Sequence, residues 1–287
     1  MTLAPVPPQS VLLISLDSCR FDTFQRAQIP HLKRVGPLHK AIAPSYFTYG
    51  SHAAFWMGFT PGVTGSRTPW LNPKLGKLFR MAKDANRDNP GPDHFVLQGR
   101  SIVAGFRALG YYTLGSGAVQ WFDPAIETSQ LLTQDFEDFW YANATWNLTE
   151  QLHWIAAQLH DNAGDRPVFT FLNIGETHVP YWHQGASWEP WPSPCTPFGG
   201  PHASARQSRL RQRRCLEWID QQLPALLQAF AEATIVICAD HGDCWGEQGL
   251  WEHGISHAKT LTVPLILRVD GQPVAEIQAR RRVLQRR

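Results

Sequence analysis

The sequence has few charged residues and almost no excess of one sign. Only 17% of its 287 residues are Asp, Glu, Lys or Arg, and the formal net charge is +2. So small an excess predicts no strong attraction to nucleic acid or to acidic membranes. No stretch reaches the ~20 apolar residues of a membrane-spanning helix, and residues 1–8 lack the basic start and apolar run of a signal peptide.

Cysteine is also scarce. The chain has five cysteines, an odd number without regular spacing, which argues against a disulfide framework. They are Cys19, Cys195, Cys215, Cys238 and Cys244. Together with the absence of a recognisable leader, this usage predicts a soluble protein in the reducing cytoplasm.

Apolar residues, by contrast, make up 43% of the chain, enough to fill the core of one large domain. Strand-like runs alternate with amphipathic helical patterns and no internal repeat is visible. The clearest are strands 11–16, 167–174, 234–239 and 263–269 and helices 101–109, 147–159 and 208–231. The alternation predicts one α/β domain over residues 1–287, doubly wound, with a mainly parallel sheet and helices on both faces.

Metal-binding side chains follow two of these strands. Asp240 and His241 follow strand 234–239, and Asp17 follows strand 11–16. Burying a carboxylate and an imidazole at a strand end costs several kcal/mol unless something pairs with them, and a divalent cation does so. These three residues are therefore candidate ligands for one ion, Mn²⁺ or Zn²⁺.

Each candidate residue also has a structural explanation. Asp17 after a strand could cap a helix. Thr48 stands at the predicted start of a short helix that Gly58 ends, and it could simply be a helix-capping threonine. His178 follows strand 167–174, and His253 lies in the loop after the Asp240 strand. Either histidine could be structural or could contact a substrate.

Five motifs follow one another along the chain. They are Asp17-Ser-Cys-Arg20-Phe-Asp22, Thr48-x-x-Ser51-His52, Thr177-His178-x-Pro180-Tyr181, Asp240-His241-Gly242-Asp243 and Val263-Pro264-Leu265-Ile266. Taken together, they resemble those of the alkaline phosphatase superfamily, specifically its sulfatase-like hydrolases. Their order and spacing match from about residue 11 to residue 268. The resemblance implies a doubly wound α/β fold whose ligands and nucleophile lie at strand ends.

The resemblance also gives the motif residues their roles. Asp17, Thr48, Asp240 and His241 would bind the metal, and coordination would activate the Thr48 hydroxyl as the nucleophile. Attack on phosphorus would then give a phosphothreonine that water hydrolyses.

Three histidines are the expected substrate contacts, His52, His178 and His253, and the last two could also protonate the leaving group. Members of the superfamily with two zinc ions need further ligands. Four residues lie in roughly suitable places, but their spacing does not match, namely Glu176, His178, His253 and His257. One ion is therefore expected, and a second stays open.

Two departures from the sulfatase pattern bear on the reaction. Sulfatases carry Cys-x-Pro-Ser-Arg, whose first residue is oxidised to formylglycine, and Thr48 cannot undergo that oxidation. Thr48 instead resembles the nucleophile of the superfamily's phosphodiesterases and of its phosphoethanolamine or glycerol-phosphate transferases, which are typically membrane-anchored. The chain also ends soon after strand 263–269, without the small C-terminal subdomain common in sulfatases.

The resulting prediction is a soluble metal-dependent hydrolase of small-molecule phosphomonoesters or phosphodiesters, with neither nucleic acid nor membrane as a partner. Three alternatives stay open. They are a soluble phosphoryl or head-group transferase, a sulfatase-like hydrolase of sulfate esters, and a non-catalytic relative that binds a phosphorylated or sulfated partner. The loops 62–92 and 182–203 and the basic tail 280–287 carry no pattern that identifies a substrate, and the oligomeric state is not predicted.

Overall fold

The computed structural model describes residues 3–58 and 101–276. The predicted loop 62–92, a possible helix over 74–83 within it, and the basic tail 280–287 lie outside these residues. Within the described ranges, no helix combines the length and apolar character needed to cross a membrane.

Strands and helices alternate along the described chain. The strands are β1 (Val11–Leu16), β2 (His39–Ile42), β3 (Tyr112–Gly117), β4 (Asp138–Tyr141), β5 (Val168–Ile174), β6 (Thr234–Cys238), β7 (Cys244–Trp245), β8 (Trp251–Glu252), β9 (Thr262–Val269) and β10 (Gln272–Pro273). The helices are α1 (Phe21–Arg26), α2 (Pro30–Val35), α3 (Thr48–Met57), α4 (Ile102–Ala108), α5 (Glu127–Thr133), α6 (Leu148–Asn162), α7 (Ala205–Gln222), α8 (Pro224–Ala229) and α9 (Ala258–Leu261). The predicted α/β class is confirmed.

Eight strands form one sheet in the order β10-β9-β6-β1-β5-β3-β4, with β2 pairing to β9. The five strands β6, β1, β5, β3 and β4 are parallel, and β9 is antiparallel to β6. Ser15 of β1 stands opposite both Asn173 of β5 and Cys238 of β6. Because these paired residues lie near the carboxyl ends of all three strands, the chain leaves β1, β5 and β6 at the same edge of the sheet.

Helices cover both faces of the sheet because the central strands are apolar on both. Leu12, Ile14 and Leu16 of β1 pack into a core with residues of α6 and α7. Val11 and Leu13, which point the other way, pack against a second, aromatic-rich core with residues of α3 and α5. This two-residue alternation between faces is what a doubly wound parallel sheet requires.

Two predicted elements differ in detail. The helix expected over 208–231 is two helices, because Pro224 lacks an N–H and begins α8 at its first turn. The sequence also predicts residues 111–119 as a strand broken by glycines, but β3 runs unbroken through Gly115 and Gly117. A Cβ at Gly115 would lie 2.5 Å from the Phe139 ring, and one at Gly117 would overlap Phe122. These glycines therefore let aromatic rings pack directly on the strand.

Candidate active site

The central strands end in two buried carboxylates. Asp17 directly follows β1, and its Oδ2 accepts a hydrogen bond from Asn173 Nδ2 of β5 at 3.1 Å. Asp240 follows β6 after one residue, and its Oδ1 accepts hydrogen bonds from the backbone N–H groups of Ser18 at 3.1 Å and His241 at 2.9 Å. The two strand ends thus hold both carboxylates in place through their own backbone and a neighbouring strand.

The His241 ring is oriented by its own loop. Its Nδ1 lies 3.1 Å from the Gly242 carbonyl oxygen, a contact in which the ring nitrogen must donate. Nε2 is therefore the acceptor, and it lies 3.9 Å from Asp17 Oδ1 and 3.5 Å from Asp240 Oδ2. The same nitrogen is 3.3 Å from the Thr48 hydroxyl. These four side chains, predicted from distant motifs, meet in one buried cluster.

Thr48 is the first residue of α3, which ends at Gly58 in the left-handed conformation, as the sequence predicted. The chain folds back tightly here, because a Cβ at Gly50 would lie 2.5 Å from Ser45 Oγ. Ser51 Oγ donates to the Asp240 carbonyl at 2.6 Å and ties the helix to the end of β6. The positive end of the helix dipole is therefore held at the Thr48 hydroxyl.

The cluster has the properties of a cation site. Asp17, Asp240 and His241 each offer one ligand atom, all within 4.8 Å of one another. Asp240 Oδ2 is buried and has no hydrogen-bond partner among the described residues. Burial raises the pKa of Asp240 to about 7, and burial followed by the Asp240 charge raises that of Asp17. Two such carboxylates repel unless a cation lies between them, so the donor set fits Zn²⁺ or Mn²⁺.

A second polar group adjoins the first and shares His241 with it. His253 Nδ1 lies 2.8 Å from Asp243 Oδ1, and the other Asp243 oxygen accepts a hydrogen bond from Tyr181 Oη at 2.7 Å. Burial lowers the pKa of His253, but the hydrogen bond and charge of Asp243 outweigh it and raise it to about 9. The protonated ring of His253 is therefore favoured near neutral pH, and in that state it suits an anion. In its neutral state it could hold a metal together with His241 and Asp243.

The two predicted substrate histidines at the rim are neighbours. The ring centroids of His178 and His253 lie 5.2 Å apart, and those of His253 and His241 lie 4.5 Å apart. Both His178 and His253 are partly exposed, unlike the ligand cluster. His253 therefore lies beside the buried His241, and His178 lies beside His253.

His52 does not fit its predicted role as a substrate contact. Its ring is fully buried among aromatic side chains, including Phe122 and Phe171. Nδ1 lies 2.8 Å from the Thr48 carbonyl and Nε2 lies 3.0 Å from Ser15 Oγ. Burial lowers the pKa of His52 to about 4, so the ring is neutral. Its position one helical turn after Thr48 turns it into the core, where it anchors the start of α3.

Some residues that build the site escaped the sequence prediction. Asn173, which orients Asp17, is a polar residue inside a fully buried strand, and that contrast is the signal that could have revealed it. Asp243 and Tyr181 belong to the quoted motifs, but no role was assigned to either. Their contact with each other joins the loop after β5 to the loop after β6.

Arg20 is the other residue without a predicted role. Its buried guanidinium binds Asp22 at 2.7 and 2.8 Å, Glu247 at 2.8 Å and the Asp243 carbonyl at 3.2 Å. It also lies 4.0 Å from the centroid of the Trp245 ring. Arg20 thus fastens the loop after β1 to the loop that carries Asp243 and His253.

No protein-family model and no curated protein matches the sequence. Solved structures do match. One is the C-terminal periplasmic domain of the phosphoethanolamine transferase EptC from Campylobacter jejuni, with a TM-score of 0.60, 10% identity and coverage of 93% of this chain and 80% of that one. Another is the C-terminal periplasmic domain of EptC from Escherichia coli in complex with Zn (0.56, 14%, 95% and 77%). A third is an alkaline phosphatase superfamily protein from Vibrio parahaemolyticus (0.56, 12%, 96% and 64%).

At these identities the likeness establishes the fold. The chain has the fold of the alkaline phosphatase superfamily. The superfamily that its motifs resemble is therefore confirmed at the level of the fold. The predicted cytoplasmic location is wrong on the same comparisons, because the two EptC structures are periplasmic domains. The cysteine argument failed because all five thiols are free and buried. Thiols shielded in a core carry no information about the redox state outside.

Proposed function

We propose that the protein is a metal-dependent enzyme that hydrolyses small-molecule phosphomonoesters or phosphodiesters, with Thr48 as its nucleophile. The observation that carries the proposal is the 3.3 Å contact between the Thr48 hydroxyl and His241 Nε2, beside the carboxylates of Asp17 and Asp240. A structural threonine has no need of a buried, negatively charged cluster at its hydroxyl. A nucleophilic threonine requires one that can bind a cation.

Asp17, Thr48, Asp240 and His241 would hold one divalent ion, Zn²⁺ or Mn²⁺. When bound, such an ion supplies positive charge that lowers the pKa of a coordinated hydroxyl and stabilises charge on the phosphoryl group. The E. coli neighbour was solved in complex with Zn, which supports this choice of ion. The ion pair between His253 and Asp243 occupies the adjoining polar group, which supports one ion here rather than two.

The chain's own residues provide the rest of the reaction. The Thr48 hydroxyl would release its proton to solvent water before Oγ1 attacks phosphorus, and the dipole of α3 favours the negative charge on that oxygen. Cationic His253 would bind phosphoryl oxygens, and His178 would donate a proton to the departing oxygen as the ester bond breaks. The neutral His178 would then take a proton from the water that attacks the phosphothreonine, and Thr48 would take up a proton from solvent as its bond to phosphorus breaks.

Transfer to an alcohol is a second candidate, favoured by one comparison. The C. jejuni neighbour is named a phosphoethanolamine transferase, and this chain aligns with 80% of the solved domain. The first half of the reaction would be the same, and an acceptor hydroxyl would replace water in the second. Product analysis with and without an added alcohol separates the two, since a transferase forms the new ester in preference to free phosphate.

The test is the rate of nitrophenyl phosphate and bis-nitrophenyl phosphate cleavage with added Zn²⁺ or Mn²⁺. Thr48→Ala should lower kcat by about 10³-fold or more, whereas Thr48→Ser should keep measurable activity because it keeps the hydroxyl. Acid-quenched wild-type enzyme should carry phosphate on Thr48 by mass spectrometry.

Thr113→Ala is the matched control, because Thr113 is an equally buried threonine. It lies near the start of β3, whereas the candidate site lies at the carboxyl ends of the strands. It should keep the wild-type kcat. A metal-dependent rate that survives Thr48→Ala would disprove the nucleophile assignment.

A further inference from the structure

The outer face of α7 carries a concentration of positive charge that the net charge of +2 conceals. Residues 203–216 include five arginines, namely Arg206, Arg209, Arg211, Arg213 and Arg214, of which Arg213 pairs with Glu217 at 3.7 Å. The inner face of the helix is formed by buried residues such as Ser208, Gln212 and Leu216, so the arginines lie on the outside. Only charges within about 10 Å of a partner act strongly at physiological salt. The local density of positive charge on α7 therefore matters more for a partner than the net charge of the chain.

Two large apolar side chains are exposed in the segment just before these arginines. Phe198 is 99% exposed and Trp191 is 64% exposed, both in the loop that leads into α7. The loop is tied to the helix at Pro194, whose carbonyl accepts hydrogen bonds from Ser204 N at 2.8 Å and Ser208 Oγ at 3.0 Å. Trp191 is two residues from Glu189, whose carbonyl contacts Arg211, and Phe198 lies in a turn between Pro194 and the start of α7. We call the five arginines with these two rings the basic aromatic surface.

A second aromatic layer holds parts of this surface in place. The guanidinium of Arg214 lies 5.8 Å from the centroid of Trp188, and that of Arg209 lies 5.9 Å from that of Trp245. Trp188 is itself fixed, because its Nε1 donates to the Tyr181 carbonyl at 3.0 Å. Arg211 donates to the Glu189 carbonyl at 3.3 Å. The charges are thus ordered before any partner arrives.

We propose that the basic aromatic surface docks the protein on an anionic phospholipid bilayer. Arginines bind lipid phosphates, while exposed Phe and Trp rings enter the boundary between head groups and acyl chains. Proteins that bind single-stranded nucleic acid usually combine stacking rings with a positively charged groove. Here the charges lie on the convex outside of a helix, and Phe198 projects from a turn at the tip of a loop. This shape fits a flat, deformable partner.

The surface lies at the same edge of the sheet as the candidate active site. The loop that carries it leaves the carboxyl end of β5, and α7 begins where that loop ends. Trp245, under Arg209, is two residues from Asp243. The proposal concerns docking alone, and its test does not depend on the proposed chemistry.

The experiment is co-sedimentation of the full chain with vesicles of phosphatidylcholine alone or mixed equally with phosphatidylglycerol. Binding is expected only to the mixed vesicles, and it should weaken as salt is raised. The triple variant Arg206→Gln, Arg209→Gln, Arg214→Gln should lose roughly 100-fold in affinity, from about fivefold per arginine. The double variant Trp191→Ser, Phe198→Ser should also weaken binding by about tenfold or more, and the binding that is left should be more sensitive to salt.

The matched control is Arg107→Gln with Leu109→Ser. Leu109 is 75% exposed and precedes β3, at the opposite edge of the sheet, so this variant should bind as the wild type does. Unchanged circular dichroism and melting curves establish that the exposed substitutions leave the fold intact. Equal binding to both vesicle types, or equal binding by wild type and both surface variants, would overturn the proposal. So would tighter binding to a single-stranded oligonucleotide that the same substitutions abolish.

Discussion

At the scale of the residue, Glu176 is a buried carboxyl that the proposed chemistry does not use. It follows β5 by one residue, and its Oε1 accepts a hydrogen bond from the Leu148 N–H at the start of α6 at 2.9 Å. Its Oε2 is buried without a hydrogen-bond partner among the described residues. Burial raises the pKa of Glu176 from its ordinary 4.5 to about 8. The side chain is therefore a neutral acid in the folded protein at pH 7.

Glu176→Gln should remove part of the pH dependence of stability. Because the folded pKa lies above the unfolded one, the neutral acid stabilises the fold fully below pH 4.5 and loses this effect as the pH rises to about 8. Between pH 5 and pH 8 wild type should lose roughly 3 kcal/mol more than the variant, at about 1.4 kcal/mol for each pKa unit. Urea unfolding at both pH values measures the difference.

The control for this comparison is Glu189→Gln, which changes an exposed glutamate that is not among the groups acting on the Glu176 carboxyl. It should follow the wild-type pH dependence. If wild type and Glu176→Gln lose stability in parallel, then Glu176 is already ionised in the folded protein and the prediction fails.

At the scale of the element, the loop after β6 is pressed against α9. Gly242 N donates to the Thr260 carbonyl at 2.8 Å, and a Cβ on Gly242 would overlap the Lys259 carbonyl oxygen. The same Cβ would lie 3.2 Å from Cγ of Arg20. Glycine is required here by close approach of backbone to backbone. The loop that holds Asp240 and His241 cannot move without moving α9 or the Arg20 network.

Gly242→Ala should therefore lower both stability and zinc affinity. Overlap with backbone atoms costs about 1–3 kcal/mol, and the resulting shift displaces the two ligands that precede it. Gly105→Ala is the informative comparison, because Gly105 lies inside α4 and a Cβ there meets nothing within 4 Å among the described residues. That change should stabilise the protein by about 0.5–1 kcal/mol and leave zinc affinity alone. Thermal melting and calorimetric titration with Zn²⁺ give the two quantities, and equal effects at both glycines would contradict the prediction.

At the scale of the whole molecule, the candidate site joins distant parts of the chain. The hydrogen bond from Ser18 to Asp240 spans 222 residues, and Thr48 meets His241 across 193. These atoms are together only when β1, β6 and α3 have assembled. A ligand that bridges them binds the folded chain and not the unfolded one, so it must stabilise the entire domain.

Zinc should accordingly raise the melting temperature of protein first treated with a chelator. An ion at 100 times its Kd contributes about 2.7 kcal/mol, which corresponds to an increase of several degrees for a chain of this size. Asp240→Asn should abolish most of the increase. Before zinc is added, the same variant should melt above the wild type, because it removes the repulsion between two buried carboxylates.

Asp220→Asn is the control for zinc binding. Asp220 is a buried carboxylate that accepts hydrogen bonds from the His31 and Leu32 N–H groups, away from the site. Its variant should be less stable than wild type but should gain the same increase from zinc. A zinc effect that survives Asp240→Asn would place the ion elsewhere.

From the sequence alone, the parts of the site that depend on local pattern could be predicted. Hydrophobic runs predict the buried strands that are followed by Asp17 and Asp240. A glycine ten residues after Thr48 predicts the end of the helix that begins there. The superfamily fold followed from the order of the motifs. These features need no knowledge of which elements are neighbours.

Only the tertiary structure decided which side chains face each other. His52 belongs to the same motif as Thr48, yet one turn of helix carries its ring into an aromatic core. Asn173 and Asp243 acquire their roles from neighbouring strands and loops. The arginines of α7 become one surface because the helix buries its other face. A hydrophobic pattern specifies how deeply a residue is buried, but strand order and helix rotation specify its partners, and these depend on packing of the whole chain.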